Sequence, residues 1–132
     1  MKLRSISKLQ QKPLGKKRSN VVYRIDCKCQ KARYTGETKR RFETRLSEHQ
    51  AAVRLTKAYL DAGDVESAEK RMRKEDRGIA RHSSECTNGI DWNNAKVIGL
   101  ESDWKKRKVL EGIESLRSQH EKKLVLNNHD QL

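Results

Sequence analysis

Three short runs that contain β-branched and aromatic residues predict three strands. They lie at Val21–Asp26, Lys31–Gly36 and Ala95–Leu100. Residues of these types favour the pleated, half-buried surface of a sheet. Because only residues 27–30 separate the first two runs, we expect those strands to pair as a hairpin.

Apolar residues at helical spacing predict two longer helices. In the first, Phe42, Leu46 and Val53 fall on one face, and Thr38 stands where it could cap the helix. The second helix begins at about Asp103 and is expected to lie near the core. Its apolar positions are Val109, Leu110, Ile113 and Leu116.

The chain divides into an arm, one domain and a tail. Residues 1–19 are basic and lack a sustained apolar period, which is typical of an arm, a linker or a solvated tail. Residues 20–128 carry the domain, and residues 129–132 follow it. Within the domain, the charged residues 56–78 indicate a helical insertion that faces solvent. The order β-β-α, insertion, β-α predicts an α+β fold, a small three-stranded antiparallel sheet flanked by helices.

The charge of the chain indicates its class of partner. The 132 residues include 31 Lys and Arg against 18 Asp and Glu, a formal net charge of +13. Such an excess favours a polyanionic partner, nucleic acid first. A solvated basic surface, as in many ribosome-associated proteins, would carry the same charge.

A membrane partner is not expected. The sequence has no run of about 18 apolar residues and no leader with a cleavage site. No basic helix is expected to carry the Trp, Phe and Leu face of an interfacial helix. We therefore expect a soluble, intracellular protein.

Two tyrosines are the first candidates for chemistry. Tyr23 lies in the first predicted strand and Tyr34 in the second, so a hairpin can bring both to one site. Tyrosine is also a good strand former, and a tyrosine in a strand is usually a packing residue.

Three further polar residues stand beside apolar stripes. Arg45 and His49 are one helical turn apart, and an arginine fork suits a phosphate. An exposed Arg and a half-buried His are the ordinary alternative. Glu111 lies between Leu110 and Ile113, where a divalent cation would explain a carboxylate near the core. A surface pair with Arg107 is the alternative.

The cysteines indicate a second kind of site. Cys27 and Cys29 lie in the hairpin turn, and His82 and Cys86 lie in a short helix and loop after the insertion. Thiolates and imidazole together suit tetrahedral zinc. An odd number of cysteines in a reducing compartment favours metal ligation or free thiols over disulfides. Three free thiols beside an incidental His82 therefore remain the alternative.

The ordered motifs resemble the GIY-YIG nuclease family, and more narrowly the endonuclease domain of Penelope-like retroelements. The resemblance covers Asn20 to about Asn128. The segments that carry it are Val-Val-Tyr-Arg-Ile-Asp-Cys from Val21, Tyr-Thr-Gly-Glu-Thr-Lys-Arg from Tyr34, Arg-Leu-Ser-Glu-His from Arg45, Gly-Ile-Asp-Trp from Gly89, and the later Arg107, Glu111 and Asn127. Val-Val-Tyr and Tyr-Thr-Gly depart from the eponymous triplets but keep both tyrosines and the final glycine.

The resemblance implies a role for each site residue. Tyr23 would help to activate the attacking water as general base, with Tyr34 beside it, and His49 would assist proton transfer or orient Tyr23. Arg45 would hold the phosphate, and Glu111 would bind Mg²⁺ or Mn²⁺. Asn127 would orient the phosphate or neighbouring groups, and the expected substrate-binding residues are Gly36, Lys39, Arg40 and Arg41.

The same resemblance extends to the cysteine site. Penelope-like domains resemble this chain in having two cysteines between the tyrosine motifs and two histidines downstream. Cys86 then takes the place of the second histidine. This implies a structural Zn²⁺ held by Cys27, Cys29, His82 and Cys86.

The function implied is that of a metal-dependent DNA endonuclease that nicks a target site for a retroelement. A reverse transcriptase domain, its element RNA and a nuclear location are the implied partners and setting. The alternative is a catalytically silent, zinc-stabilised nucleic-acid-binding module. A ribosome-associated or scaffold protein would explain the charge but not the ordered Tyr, Arg, His and Glu.

Overall fold

The computed structural model describes residues 13–73 and 77–126. Predicted residue Asn127, the tail and the first twelve residues of the arm lie outside these ranges. The strands are β1 (Val21–Asp26), β2 (Ala32–Thr38), β3 (Lys96–Leu100) and β4 (Leu124–Val125). The helices are α1 (Phe42–Asp61), α2 (Val65–Met72), α3 (Arg77–Glu85) and α4 (Trp104–His120), with short 3-10 turns at Pro13–Lys17 and Trp92–Asn94.

The sheet has the strand order β3-β1-β2-β4. The predicted hairpin is confirmed: β1 and β2 pair antiparallel, with Tyr23 opposite Gly36 and Ile25 opposite Tyr34. β3 pairs antiparallel with the other edge of β1. The predicted three-stranded antiparallel sheet is wrong in one respect, because β4 adds a short parallel pair beside Ala32 and Arg33. A two-residue strand leaves no periodic signal in the sequence.

Helices cover both faces of this sheet. On one face Tyr23 packs its ring against Phe42 of α1, with ring centroids 4.9 Å apart. On the other, Val22 lies beside the backbone of Gly99, which also faces Leu110 of α4. Side chains alternate along a strand, so α1 and α4 lie on opposite sides of β1 and β2.

The first helix differs from its prediction at both ends. Thr38 is the last residue of β2, and its hydroxyl accepts a hydrogen bond from the Arg40 amide instead of capping the helix. Arg41 occupies the cap position. The helix continues to Asp61, so the first part of the predicted insertion is the end of α1.

The rest of the insertion is not wholly solvent-facing. Ala68 and Met72 of α2 are buried against Ala80 of α3, with Leu60 of α1 packed beside them. The expectation of a solvent-facing pair is therefore wrong for this inner face. These contacts hold α3, the helix that carries His82, against α1 and α2.

The last helix turns its polar side inward. Arg107, Glu111 and Ser118 are buried, whereas Val109 and Leu116 are 61% and 66% exposed. The expectation that the apolar positions lie near the core is wrong for these residues. The reason is that the sheet face beneath α4 is itself polar: Arg33 of β2 donates to the Ser118 hydroxyl, for example.

Candidate functional site

Three cysteines and one histidine meet at the end of the hairpin. Cys27 and Cys29 are held there by the turn, in which the Cys27 amide donates to the Ala32 carbonyl. His82 comes from α3 and Cys86 follows it. The four ligand atoms all lie within 4.8 Å of one another. This Cys3His group, predicted from the sequence, could hold a metal ion such as zinc.

Two distances test the fit of a tetrahedral ion. The Cys27 and Cys86 sulfurs are 3.7 Å apart, and the Cys29 sulfur lies 3.6 Å from His82 Nε2. With Zn–S near 2.3 Å and Zn–N near 2.0 Å, tetrahedral angles require S–S and S–N distances of about 3.8 Å and about 3.5 Å. The donor set fits zinc, and these two of the six ligand distances are close to those of a tetrahedral ion.

The two hairpin thiols differ in their protonation. The backbone N–H of Lys31 donates to Cys29 Sγ and, with the neighbouring side chains, lowers the pKa of Cys29 to about 6. Burial raises the pKa of Cys27 to about 12. Cys29 is therefore a thiolate at neutral pH, the form that binds a metal.

A second cluster lies on the α1 face of the sheet. The hydroxyl of Tyr23 is hydrogen-bonded to His49 Nε2 at 2.8 Å, and both side chains are fully buried. Tyr34 meets the His49 ring edge-on, with centroids 5.0 Å apart. The hairpin and the helix thus bring both predicted tyrosines to the predicted histidine.

Burial decides the protonation of Tyr23. Loss of solvation is the largest cause that raises its pKa well above the ordinary value of 10.0, and Tyr34 raises it further. Nearby Arg45 acts in the opposite direction. Tyr23 is therefore a neutral phenol at physiological pH, and its proton can leave only by transfer to a neighbour such as His49.

Gly36 makes this packing of tyrosines possible. A Cβ at this position would lie 2.6 Å from the phenol carbon and oxygen of Tyr23 and 2.7 Å from the ring of Tyr34. Contacts this short do not occur between ordinary side chains. Gly36 therefore acts inside β2, where it leaves room for the two tyrosine rings.

Arg45 is fixed by a carboxylate that the sequence analysis missed. Its guanidinium donates to Glu48 at 3.0 Å, and Arg40 donates to the same carboxylate at 2.6 Å. The Arg40 bond is the largest cause that lowers the pKa of Glu48. The i, i+3 spacing of Arg45 and Glu48 was the available signal. Lys39, Arg40 and Arg41 are all exposed just before α1.

Glu111 lies on the opposite face of the sheet from the tyrosine cluster. It is buried, as expected for a carboxylate near the core. The ammonium of Lys108 lies 3.7 Å from Glu111 Oε1 and 3.8 Å from Glu37 Oε2. The sequence analysis missed both Glu37 and Lys108, since the pair forms only when α4 docks on β2.

Arg107 is held elsewhere than the sequence suggested. Its guanidinium donates to Glu37 at 2.8 Å and to the side chain of Asn20 at 3.1 Å. It also donates to the carbonyls of Glu101 and Ser102. These bonds anchor the first turn of α4 to the sheet.

Strand β2 separates the tyrosine cluster on one face of the sheet from Glu111 and Glu37 on the other. Within the described residues, β4 pairs with β2 at Ala32 and Arg33 alone. Gly36 of β2 touches the tyrosines, and Glu37, the next residue along the strand, contacts the α4 side.

Comparisons with protein-family models, with curated proteins and with solved structures find no match for this chain. Among the described residues, no helix has the length and apolar character needed to cross a membrane.

Proposed function

We propose that this chain is a metal-dependent endonuclease domain that hydrolyses DNA phosphodiester bonds. The observation that carries the proposal is the buried hydrogen bond between Tyr23 and His49, with Tyr34 and Arg45 around it. A phenol hydrogen-bonded to an imidazole in a core is a pair along which a proton can move in a low-dielectric environment. We propose that this Tyr23–His49 pair accepts the proton of the attacking water.

The proposed proton path follows from the protonation of Tyr23. The oxygen of a water forms the new bond to phosphorus, and the ester bond to the leaving oxygen breaks, after which that oxygen takes a proton from solvent. The proton released by the water goes to Tyr23, while Tyr23 passes its own proton to His49. No isolated tyrosinate therefore forms. Tyr34, 8% exposed, lies nearer to solvent than the fully buried Tyr23.

Arg45 is proposed to hold the scissile phosphate. Its bond to Glu48 fixes the side chain in advance, and a guanidinium stays charged throughout the reaction. The exposed Lys39, Arg40 and Arg41 add positive charge on the same side. We propose that they contact neighbouring phosphates, which fits the net charge of +13.

Glu111, together with Glu37, would hold the Mg²⁺ or Mn²⁺ ion. Buried carboxylate oxygens are the ligands that hard divalent ions prefer. Such an ion would stabilise negative charge on the phosphate and on the leaving oxygen. Lys108 now balances both carboxylates, so the ammonium would have to give way to the ion.

The Cys3His group is proposed to bind a structural Zn²⁺. All four ligands come from the protein, which leaves no open position for chemistry. The ion would tie the β1–β2 turn to the segment after α3. A retroelement context, with a reverse transcriptase domain, its element RNA and a nuclear location, belongs to the same proposal and is supported by the resemblance alone.

A silent zinc-stabilised nucleic-acid-binding module is the second candidate. Two observations favour it: Tyr23 is fully buried, and Glu111 lies on the other face of the sheet. In that case the tyrosines and His49 are core residues, and the basic surface alone binds nucleic acid.

Cleavage of supercoiled plasmid separates these candidates. The zinc-loaded chain is incubated with and without Mn²⁺ or Mg²⁺, without chelator, because a chelator would also remove zinc. We expect nicked product only with the added ion, loss of product in Glu111→Ala, and activity kept in Glu114→Ala, a change one turn along the same helix. A gel shift without any nicking under these conditions would favour the binding module.

A further inference from the structure

The outer face of α4 carries an apolar seam with nothing packed on it in the described structure. Val109, Ile113 and Leu116 are 61%, 42% and 66% exposed. The opposite side of the helix is fixed to the sheet through Arg107 and Ser118. The seam is therefore held rigidly on the surface and cannot turn inward without breaking these bonds.

The spacing of the seam is that of a helix–helix contact. The intervals from Val109 to Ile113 and from Ile113 to Leu116 are four and three residues, the alternation of d, a and d positions in a heptad. Such a stripe is narrower than the face of a helix that lies in a membrane surface. Trp104, although exposed, lies about 140° around the helix from Val109 at about 100° per residue.

Gly112 is a second sign of a neighbouring helix. It lies in the middle of α4 beside the seam, and a Cβ there would meet nothing within 4 Å. Glycine inside a helix costs about 1 kcal/mol relative to alanine, and no contact within the described chain accounts for it. The absent side chain lets another backbone approach closely.

The charges around the seam select the partner. Lys105 and Lys106 lie exposed near one end, and Arg117, which pairs with Glu114 at 2.9 Å, lies exposed near the other. Within α4, which the structure describes throughout, neither Glu111 nor Glu114 is exposed. A second copy would bring these cations against each other in either orientation, which disfavours a dimer. A carboxylate-bearing helix would be complementary.

We propose that the Val109–Ile113–Leu116 seam of α4 is the docking site for an acidic amphipathic helix of another protein or of another domain. The partner's apolar residues would pack between those of the seam, and its carboxylates would pair with the flanking cations. This interaction is independent of the cleavage chemistry, because it uses the side of α4 that faces away from the sheet.

The test uses the full zinc-loaded chain and a designed helical peptide about three heptads long, with Leu at a and d and Glu at e and g. Binding is measured by fluorescence anisotropy of the labelled peptide. We expect Ile113→Ser with Leu116→Ser to weaken it by about tenfold or more. The control Val65→Ser, at a position 59% exposed on α2, should change it by less than about twofold. Thermal unfolding verifies that each variant is folded.

Four outcomes would overturn the proposal. The first is that the variant Ile113→Ser with Leu116→Ser binds the peptide as tightly as the wild type. A second is equal binding of a peptide with Ser at a and d, which would mean unspecific attraction between charges. The third is seam-dependent binding to phosphatidylserine vesicles without binding of the peptide. The fourth is a dimer in sedimentation that Leu116→Ser abolishes, which would make a second copy the occupant.

Discussion

Removal of zinc is predicted to destabilise the whole domain. The proposed site joins Cys27 to Cys86, which are 59 positions apart in the chain. Treated as a cross-link across a loop of that length, it restricts the unfolded chain by roughly 4 kcal/mol. Zinc bound to small peptides contributes on the order of 10 kcal/mol. We expect a loss between these values.

This loss is large against the total stability of a domain. Free energies of unfolding are typically about 5–15 kcal/mol, so the zinc-free chain should be marginally folded. With an unfolding entropy near 2 cal/mol/K per residue, a loss of roughly 4 kcal/mol lowers the melting temperature by about 15 °C. The sheet and the α1 packing are shared with the tyrosine cluster, so that cluster should loosen as well.

The assay is thermal unfolding by circular dichroism with one equivalent of zinc and with chelator, together with metal analysis of the purified chain. His82→Asn should weaken zinc binding and reproduce part of the loss. His120→Asn, at an exposed position on α4, is the matched control and should not. A chain that retains no zinc and melts at the same temperature with and without chelator would refute the reasoning.

Three further predictions concern the tyrosine cluster and Glu111. Gly36→Ala should lower the free energy of unfolding by about 1–3 kcal/mol in denaturant unfolding, because the new Cβ overlaps Tyr23. The control Gly112→Ala places its Cβ in open space and should not destabilise the protein. An equal loss of stability in both variants would contradict this reasoning. Because the raised pKa of Tyr23 favours the folded state at neutral pH, stability should be lost as pH rises above about 10; Tyr23→Phe should lose less over that range, and identical alkaline unfolding profiles would count against it. Lys108→Met should strengthen Mn²⁺ binding about tenfold in a spectroscopic titration, since an ammonium beside Glu111 is removed; no change would mean that the ion binds elsewhere.

Much of the fold follows from local sequence patterns. β1, β2 and β3 were predicted because each contains β-branched or aromatic residues and is bounded by turns. The Cys3His group was predicted as well, since its residue types have few other uses together. In both cases the signal lies in residues that are close in sequence or chemically distinctive.

The orientation of α4 could not be predicted in this way, because it depends on which sheet face the helix packs against. The spacing of Val109, Ile113 and Leu116 predicted a helix, but not that this stripe faces outward. That outcome depends on Arg33 and Glu37, which make one face of the sheet polar and pair with α4. Periodicity carries no information about such a match.

The sequence also did not predict that the proposed active-site residues lie on two opposite faces of the sheet. Residue order alone gave no reason to place Glu111 on one face of β2 and Tyr23 on the other. The placement results from strand alternation combined with the docking of α1 and α4 on opposite sides. Glu48 and Lys108 were missed because common charged pairs on a helix usually have no such role.

The central claim is that the buried Tyr23–His49 pair accepts the proton of the attacking water. Its most direct test is the single-turnover rate of duplex DNA cleavage by Tyr23→Phe with Mn²⁺, measured beside DNA affinity in the same samples. We predict a fall in rate of about a hundredfold or more, with affinity unchanged within about twofold. A Tyr23→Phe protein that binds DNA and cleaves it at the wild-type rate would contradict the account.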